Sequence, residues 1–174
     1  MPLQLIPIKP EHAEIMFRWR SEHDIIRYNP LSPITLENLR DQIKMTSSDL
    51  SNLSDSQEFR FLMQFENQLV GTIGLKNINH EMLFGEIGYG VEEAFCGKGL
   101  ASSGLKLFIE KIFTETALRK IIAYVAEDNF ASRRVLEKVG FIQEGLLREH
   151  YVINGEPTNE VFYGMLRADL RHSQ

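Results

Sequence analysis

The sequence predicts a mixed α/β domain with a largely antiparallel central sheet and flanking helices. Three observations carry this expectation. Three strand-like segments run in succession over residues 59–66, 69–78 and 83–91. A helix–strand–helix series follows over 99–114, 121–126 and 129–139. Two closing strands, from 141 onward and over 160–166, flank a turn at Asn154-Gly155. This order of elements suits a sheet that begins as a meander and ends in strand–helix units.

The elements are justified in chain order. Residues 3–8 alternate as a first strand, and 10–22 read as a helix with Ala13, Met16, Phe17 and Arg20 at helical spacing. Phe17 and Trp19 are expected in the core. Pro30 and Pro33 punctuate a loop. Thr35 is a good N-cap for a helix over 36–45, with Asn38 at the capping-box position. The polar stretch 46–57, with the acidic residues Asp49, Asp55 and Glu58 in or beside it, is expected to be a mobile connection. A short turn is expected at Asn67-Gln68. The helix over 99–114 carries Ala101, Leu105, Phe108 and Ile112 on one stripe. The run 121–126 is nearly all apolar, as in a strand buried on both faces. The next helix buries Ala131, Val135 and Val139 and stops at Gly140.

Composition narrows the class. With 174 residues, 43% hydrophobic and 25% charged, the chain is expected to be one globular domain over 1–174. The single cysteine, Cys96, excludes an internal disulfide, and no Cys/His spacing resembles a zinc site, so no metal is expected. Residues 1–7 lack the pattern of a signal peptide, and no apolar run is long enough to span a bilayer. A cytoplasmic location without membrane association is expected. The net charge of −5 argues against nucleic acid as the partner. Lys98, Arg133, Arg134 and Lys138 still gather enough positive charge for one small polyanion, or form a solvated helix face.

The segment from Gly85 to Ser102 runs from a strand through Cys96-Gly97-Lys98-Gly99 into a helix. Glycines let backbone approach a ligand, and the first amides of a helix favour an anion. A pyrophosphate is the expected guest. The spacing matches neither a Walker loop nor a dinucleotide fingerprint.

This segment resembles the coenzyme loop of the GNAT acetyltransferase superfamily, with Cys96, Gly99 and Ala101 at its three signature positions. Cys96 departs from the Arg or Gln usual there. A second match runs from Asn129 to Gly140-Phe141. Trp19, Glu144-Gly145, Arg148 and Asn154-Gly155 look like the branch of ribosomal-protein alanine N-acetyltransferases. The resemblance implies a sheet in which two parallel strands, 83–91 and 121–126, splay apart around acetyl-coenzyme A. It implies direct attack of an amine on the thioester, without an acyl-enzyme. The implied cofactor contacts are Tyr89, Gly90, Val91, Gly97, Lys98, Gly99, Leu100, Ala101, Ser102, Asn129, Ser132 and Arg133. The implied catalytic residues are Glu86 as base and Ser132 as donor to the leaving sulfur. Many relatives use a tyrosine for that donor, and Leu136 stands at its position here. The residues themselves also allow Glu86 as a solvated strand residue, Ser132 and Asn129 as helix caps, and His150 and Tyr151 either as a lining of the acceptor side or as exposed hairpin residues.

The expected partners are acetyl-coenzyme A and a primary amine, in a monomer or homodimer. The acceptor is a protein N-terminus, or a small molecule such as an amino sugar or polyamine. A coenzyme A-binding sensor without turnover is the alternative that Leu136 motivates.

Overall fold

The structure is a computed structural model and describes residues 2–22, 27–28, 31–54 and 57–172. Asp55 and Pro30, singled out from the sequence, lie outside the described residues. One seven-stranded sheet has the order β1-β2-β3-β4-β5-β7-β6. Its strands are β1 (Gln4–Pro7), β2 (Phe59–Phe65), β3 (Gln68–Asn79), β4 (Phe84–Val91), β5 (Lys120–Ala126), β6 (Ile142–Ile153) and β7 (Glu156–Leu166). Every pairing is antiparallel except β4 with β5.

Among the described residues, four α-helices flank it: α1 (Ala13–Trp19), α2 (Leu36–Met45), α3 (Leu100–Glu115) and α4 (Phe130–Val139). Alternation along the strands assigns each helix pair to one face. Phe61, Ile73, Ile87, Ile121, Ala123, Val161 and Tyr163 form the main core with Leu105, Phe108 and Ile112 of α3 and Leu136 of α4. Leu62 of β2 turns to the opposite face and packs with Met16, Trp19, Leu39 and Ile43 of α1 and α2. Arg167, after β7, clamps the end of α3. It stacks on Phe113 and donates to the carbonyls of Phe113, Thr116 and Leu118. Those carbonyls have no partner within the helix, so the guanidinium satisfies the open end.

Caps and turns follow local chemistry. The Thr35 hydroxyl accepts from the Asn38 amide at 3.1 Å and starts α2 as expected. Gly140 ends α4 with φ 105°. The β2–β3 connection is Glu66-Asn67, one residue earlier than expected, with φ 49° and 62°. Positive φ at both positions is what a two-residue hairpin of the type I′ kind needs, and the strand pairing rather than Gln68 sets its place.

One element and two burial expectations change. The 10–22 segment is a 3₁₀ turn over Pro10–His12 followed by a short α1. Phe17 is exposed while Trp19 is buried, because a seven-residue helix turns only one narrow stripe inward. Ala131 is exposed, and Leu136 with Val139 carries the buried face of α4. The described part of the stretch after α2 makes contacts with the core. Leu50 is 1% exposed in the main core, and Ser48 accepts from the Ile8 amide and donates to the Arg60 carbonyl.

Candidate active site

The site begins where the sheet opens. β4 and β5 pair in parallel over only three positions, Phe84 with Lys120, Gly85 with Ile121 and Glu86 with Ile122. Both strands then continue without pairing to each other, β4 along β3 to Val91 and β5 along β7 to Ala126. A wedge-shaped gap opens with Glu86 and Ile122 at its apex.

β4 presents its free edge to this gap. The Glu92 amide donates to the Val70 carbonyl at 2.8 Å, so backbone polar groups of even-numbered residues turn toward β3. Those of Tyr89 and Val91 therefore face the gap. Gly90, named with them from the sequence, spends its backbone on β3 opposite Thr72.

The chain then passes a 3₁₀ turn (Glu93–Phe95) and enters α3. Gly97 and Gly99 have φ 76° and 77°, a left-handed conformation that a side chain would strain. A Cβ at either would meet no atom within 4 Å, so open space rather than packing surrounds them. Behind them the amides of Leu100, Ala101 and Ser102 begin a 16-residue helix. Leu100 and Ser102 bury their side chains. Only their backbone can serve an anion. The Lys98 ammonium lies 4.8 Å from the Phe95 ring centre, and Cys96 is exposed.

α4 forms the other wall. The Asn129 side chain accepts from the Ser132 amide at 3.1 Å, so Asn129 caps the helix. The Ser132 hydroxyl lies 2.8 Å from the Tyr89 hydroxyl, which also lies 3.1 Å from the Ser132 carbonyl. Burial pushes the Tyr89 phenol up to about 12. Leu136 is fully buried and offers nothing to the gap. Arg133 turns the other way. Its guanidinium donates to the Tyr163 hydroxyl at 3.3 Å and the Glu127 carbonyl at 3.0 Å, on the β7 side of α4. It lines a separate cleft of about 620 Å³ with Arg27, Glu127, Asp128 and Asn159. Lys98 and Arg133 are thus not gathered into one anion site.

On the α1/α2 face of the same apex lies a second group of side chains. Glu86 receives a hydrogen bond from Asn77 Nδ2 at 2.6 Å and pairs with Lys76 Nζ at 3.2 Å. Tyr124 of β5 stacks on His150 of β6 and packs on Phe162 of β7. His150 Nδ1 lies 2.7 Å from Glu160 Oε2. Burial raises the pKa of Tyr124, with the Glu86 and Glu160 carboxylates adding to the effect. Asp49, by contrast, sits beside Lys111 of α3, on the other face. The Tyr89 hydroxyl, Tyr124 and the His150–Glu160 pair were not singled out as partners from the sequence.

A parallel pair that parts around a free strand edge, facing the N-terminus of a glycine-led helix, is the architecture of an acetyl-coenzyme A-dependent acyltransferase. The Acetyltransferase (GNAT) domain matches residues 3–142. The chain belongs to this family and is an N-acetyltransferase. It is 29% identical over 168 residues to the uncharacterized N-acetyltransferase p20 of Bacillus licheniformis, covering 96% of this chain and 94% of the other. Two solved structures share the fold. The ribosomal-protein-S5-alanine acetyltransferase from Vibrio fischeri has a TM-score of 0.85 at 23% identity, covering 97% of this chain and 95% of that one. The spermidine N-acetyltransferase from Vibrio cholerae, in complex with CoA and spermine, has a TM-score of 0.82 at 23% identity, covering 96% of each. Among the described residues, no helix is long and apolar enough to cross a membrane.

Proposed function

We propose that this chain moves the acetyl group of acetyl-coenzyme A to a primary amine by direct attack, with an α-amino group as the preferred acceptor. One observation carries the reading. The β4–β5 pairing stops at Glu86, leaving Tyr89 and Val91 backbone groups free beside the first amides of α3. A pantetheine arm carries amide groups that a free strand edge can pair, and a pyrophosphate suits the helix start. The residues present fit the co-substrate without any side chain in its path at Gly97 and Gly99.

In this reading the acceptor enters from the α1/α2 face beside Glu86, Tyr124 and the His150–Glu160 pair. Glu86 takes the proton that the amine loses, directly or through water, and Ser132 donates to the departing sulfur. The α-amino preference rests on acidity. A free α-amino group has a pKa of about 7.7–8.0 against about 10.4 for lysine, so far more of it is neutral at working pH.

The test is release of free thiol from acetyl-coenzyme A against four acceptors. These are a peptide with a free N-terminus, the same peptide blocked but carrying a lysine, spermidine, and an amino sugar. The free N-terminus is expected to react fastest. Reaction of only the blocked peptide would remove the α-amino preference. Reaction of only spermidine or the amino sugar would remove the protein acceptor and leave the reaction class. No thiol release with any amine would favour a coenzyme-binding sensor.

A further inference from the structure

The chain lacks a tyrosine at the α4 position, where Leu136 is buried, yet a phenol reaches the same helix from another element. Tyr89 stands on the free half of β4, and its hydroxyl lies 2.8 Å from Ser132 Oγ across the gap. The two residues are 43 positions apart, and the contact is partly buried. We infer that Tyr89 is a positioning residue for the leaving-group step, holding the Ser132 hydroxyl so that its proton points at the coenzyme sulfur. This inference rests on the proposed acyl transfer and on Ser132 as the group that meets the thiolate.

The chemistry follows from counting donors. A serine hydroxyl has one proton and two lone pairs. If it donated to Tyr89, it would have no proton left for sulfur. The phenol also has one proton, which the Ser132 carbonyl at 3.1 Å can accept as well; when that proton goes to the nearer Ser132 Oγ at 2.8 Å, the serine proton is free, and the chain runs phenol to hydroxyl to thiolate in one direction. Donors aligned in this way polarise one another. Burial keeps the phenol protonated, with its pKa pushed up to about 12, so Tyr89 stays a donor throughout the working range. An exposed serine would rotate among several partners; here one lone pair is already engaged.

The step balances without either side chain losing its proton. The amine nitrogen bonds to the thioester carbon and the C–S bond breaks, leaving its electron pair on sulfur. The thiolate is held by the Ser132 hydrogen bond. It then takes up one proton, equal to the one that the amine released to Glu86 or water.

The experiment is a double-mutant cycle on the full chain, with acetyl-coenzyme A and the best amine of the panel. Tyr89→Phe keeps the ring and removes the hydroxyl. Its kcat is expected to fall about tenfold, the scale of one lost hydrogen bond in a transition state, with both KM values within twofold. Ser132→Ala is expected to fall as far or further, and the double variant no further than Ser132→Ala alone, because Tyr89 acts only through the serine. Ser132→Thr, which keeps the hydroxyl, is expected to restore most of the rate. Cofactor-induced stabilisation, measured on each variant, reports whether the coenzyme site is intact. An unchanged kcat in Tyr89→Phe, losses that multiply in the double variant, or a matching loss of cofactor binding would each overturn the inference. Wild-type protein that binds the coenzyme but never releases thiol would instead overturn the reaction on which it rests.

Discussion

The two faces of the sheet reach the β4–β5 gap by different means. On the α3/α4 face the surfaces that could meet a coenzyme are mostly backbone. They are the free edge at Tyr89 and Val91, the two left-handed glycines, and the first amides of α3. On the α1/α2 face the surfaces are side chains from separate strands, with Glu86 on β4, Tyr124 on β5, Glu160 and Phe162 on β7, and His150 on β6. A backbone surface changes little when side chains change, so it can serve one co-substrate across many sequences. A side-chain surface can be rebuilt residue by residue, as acceptors require.

The largest expected effect breaks the backbone side. Saturating acetyl-coenzyme A should raise the melting temperature of the wild type by about 5–10 °C, taking 100-fold excess over Kd for a chain of this size. Gly99→Asp should abolish this shift, because it strains a residue at φ 77° and sets a negative charge against the phosphates. A full shift in this variant would show that the loop does not meet the coenzyme.

The next effect separates the faces. Glu86→Gln should lower kcat/KM by about a hundredfold near neutral pH, the ordinary scale of a general base. Cofactor stabilisation should stay as in the wild type. The loss should shrink as pH rises and the amine deprotonates by itself. A constant ratio across pH would make Glu86 only the strand partner of Lys76 and Asn77.

This contrast also decides what could be read in the sequence. The backbone side was legible. Gly97, Gly99 and the apolar run of β5 are local signals that led to the loop, the helix start and a buried strand, while the splayed pair came from the family resemblance that the same loop carries. The side-chain side was not, because its contacts join distant residues through irregular strand register. From the pairing Ile153↔Glu156, an unbroken hairpin would set His150, three residues back, opposite Asn159, three residues on. A register shift between Leu147 and Tyr151, with Glu149 at φ 49°, instead leaves His150 bonded to Glu160. No local pattern announces such a bulge. The contacts of Arg133 were hidden for a related reason: the side chain swings over α4 to Tyr163, a partner 30 residues away. The connection over 46–54 looked free because it is polar, while its single buried Leu50 ties it to the core.

A smaller effect sharpens the acceptor side. Glu160→Gln weakens the hold on His150 and so loosens the stack under Tyr124. The KM for the amine should rise about three- to tenfold, with the KM for acetyl-coenzyme A unchanged, as for one weakened charge-assisted contact. Equal rises in both constants would mean that the two faces are not separable.

The smallest effect concerns the link between the faces. Glu22, just beyond α1, accepts from the Glu93 amide at the entry to the coenzyme loop. Burial raises its pKa, and the neighbouring Glu92 and Glu93 carboxylates add to this against the lowering effect of the Glu93 amide. A carboxyl raised in the folded state stabilises the fold at low pH and loses that contribution as pH rises through its folded value. Glu22→Gln keeps an acceptor oxygen and removes the charge. The melting temperature should rise by roughly 1–2 °C at pH 7 and match the wild type near pH 4. A fall at pH 7 would show that the charge itself holds the loop.

The division between a backbone-built coenzyme side and a side-chain-built acceptor side is tested most directly by amide hydrogen exchange at single-residue level, with acetyl-coenzyme A and without it. Binding should slow exchange at Tyr89 and Val91 and at Leu100, Ala101 and Ser102, while the β6–β7 hairpin around Asn154-Gly155 stays unchanged until an amine is added. Protection confined to the hairpin and the Arg27–Arg133 cleft, with Tyr89 and Val91 unaffected, would contradict it.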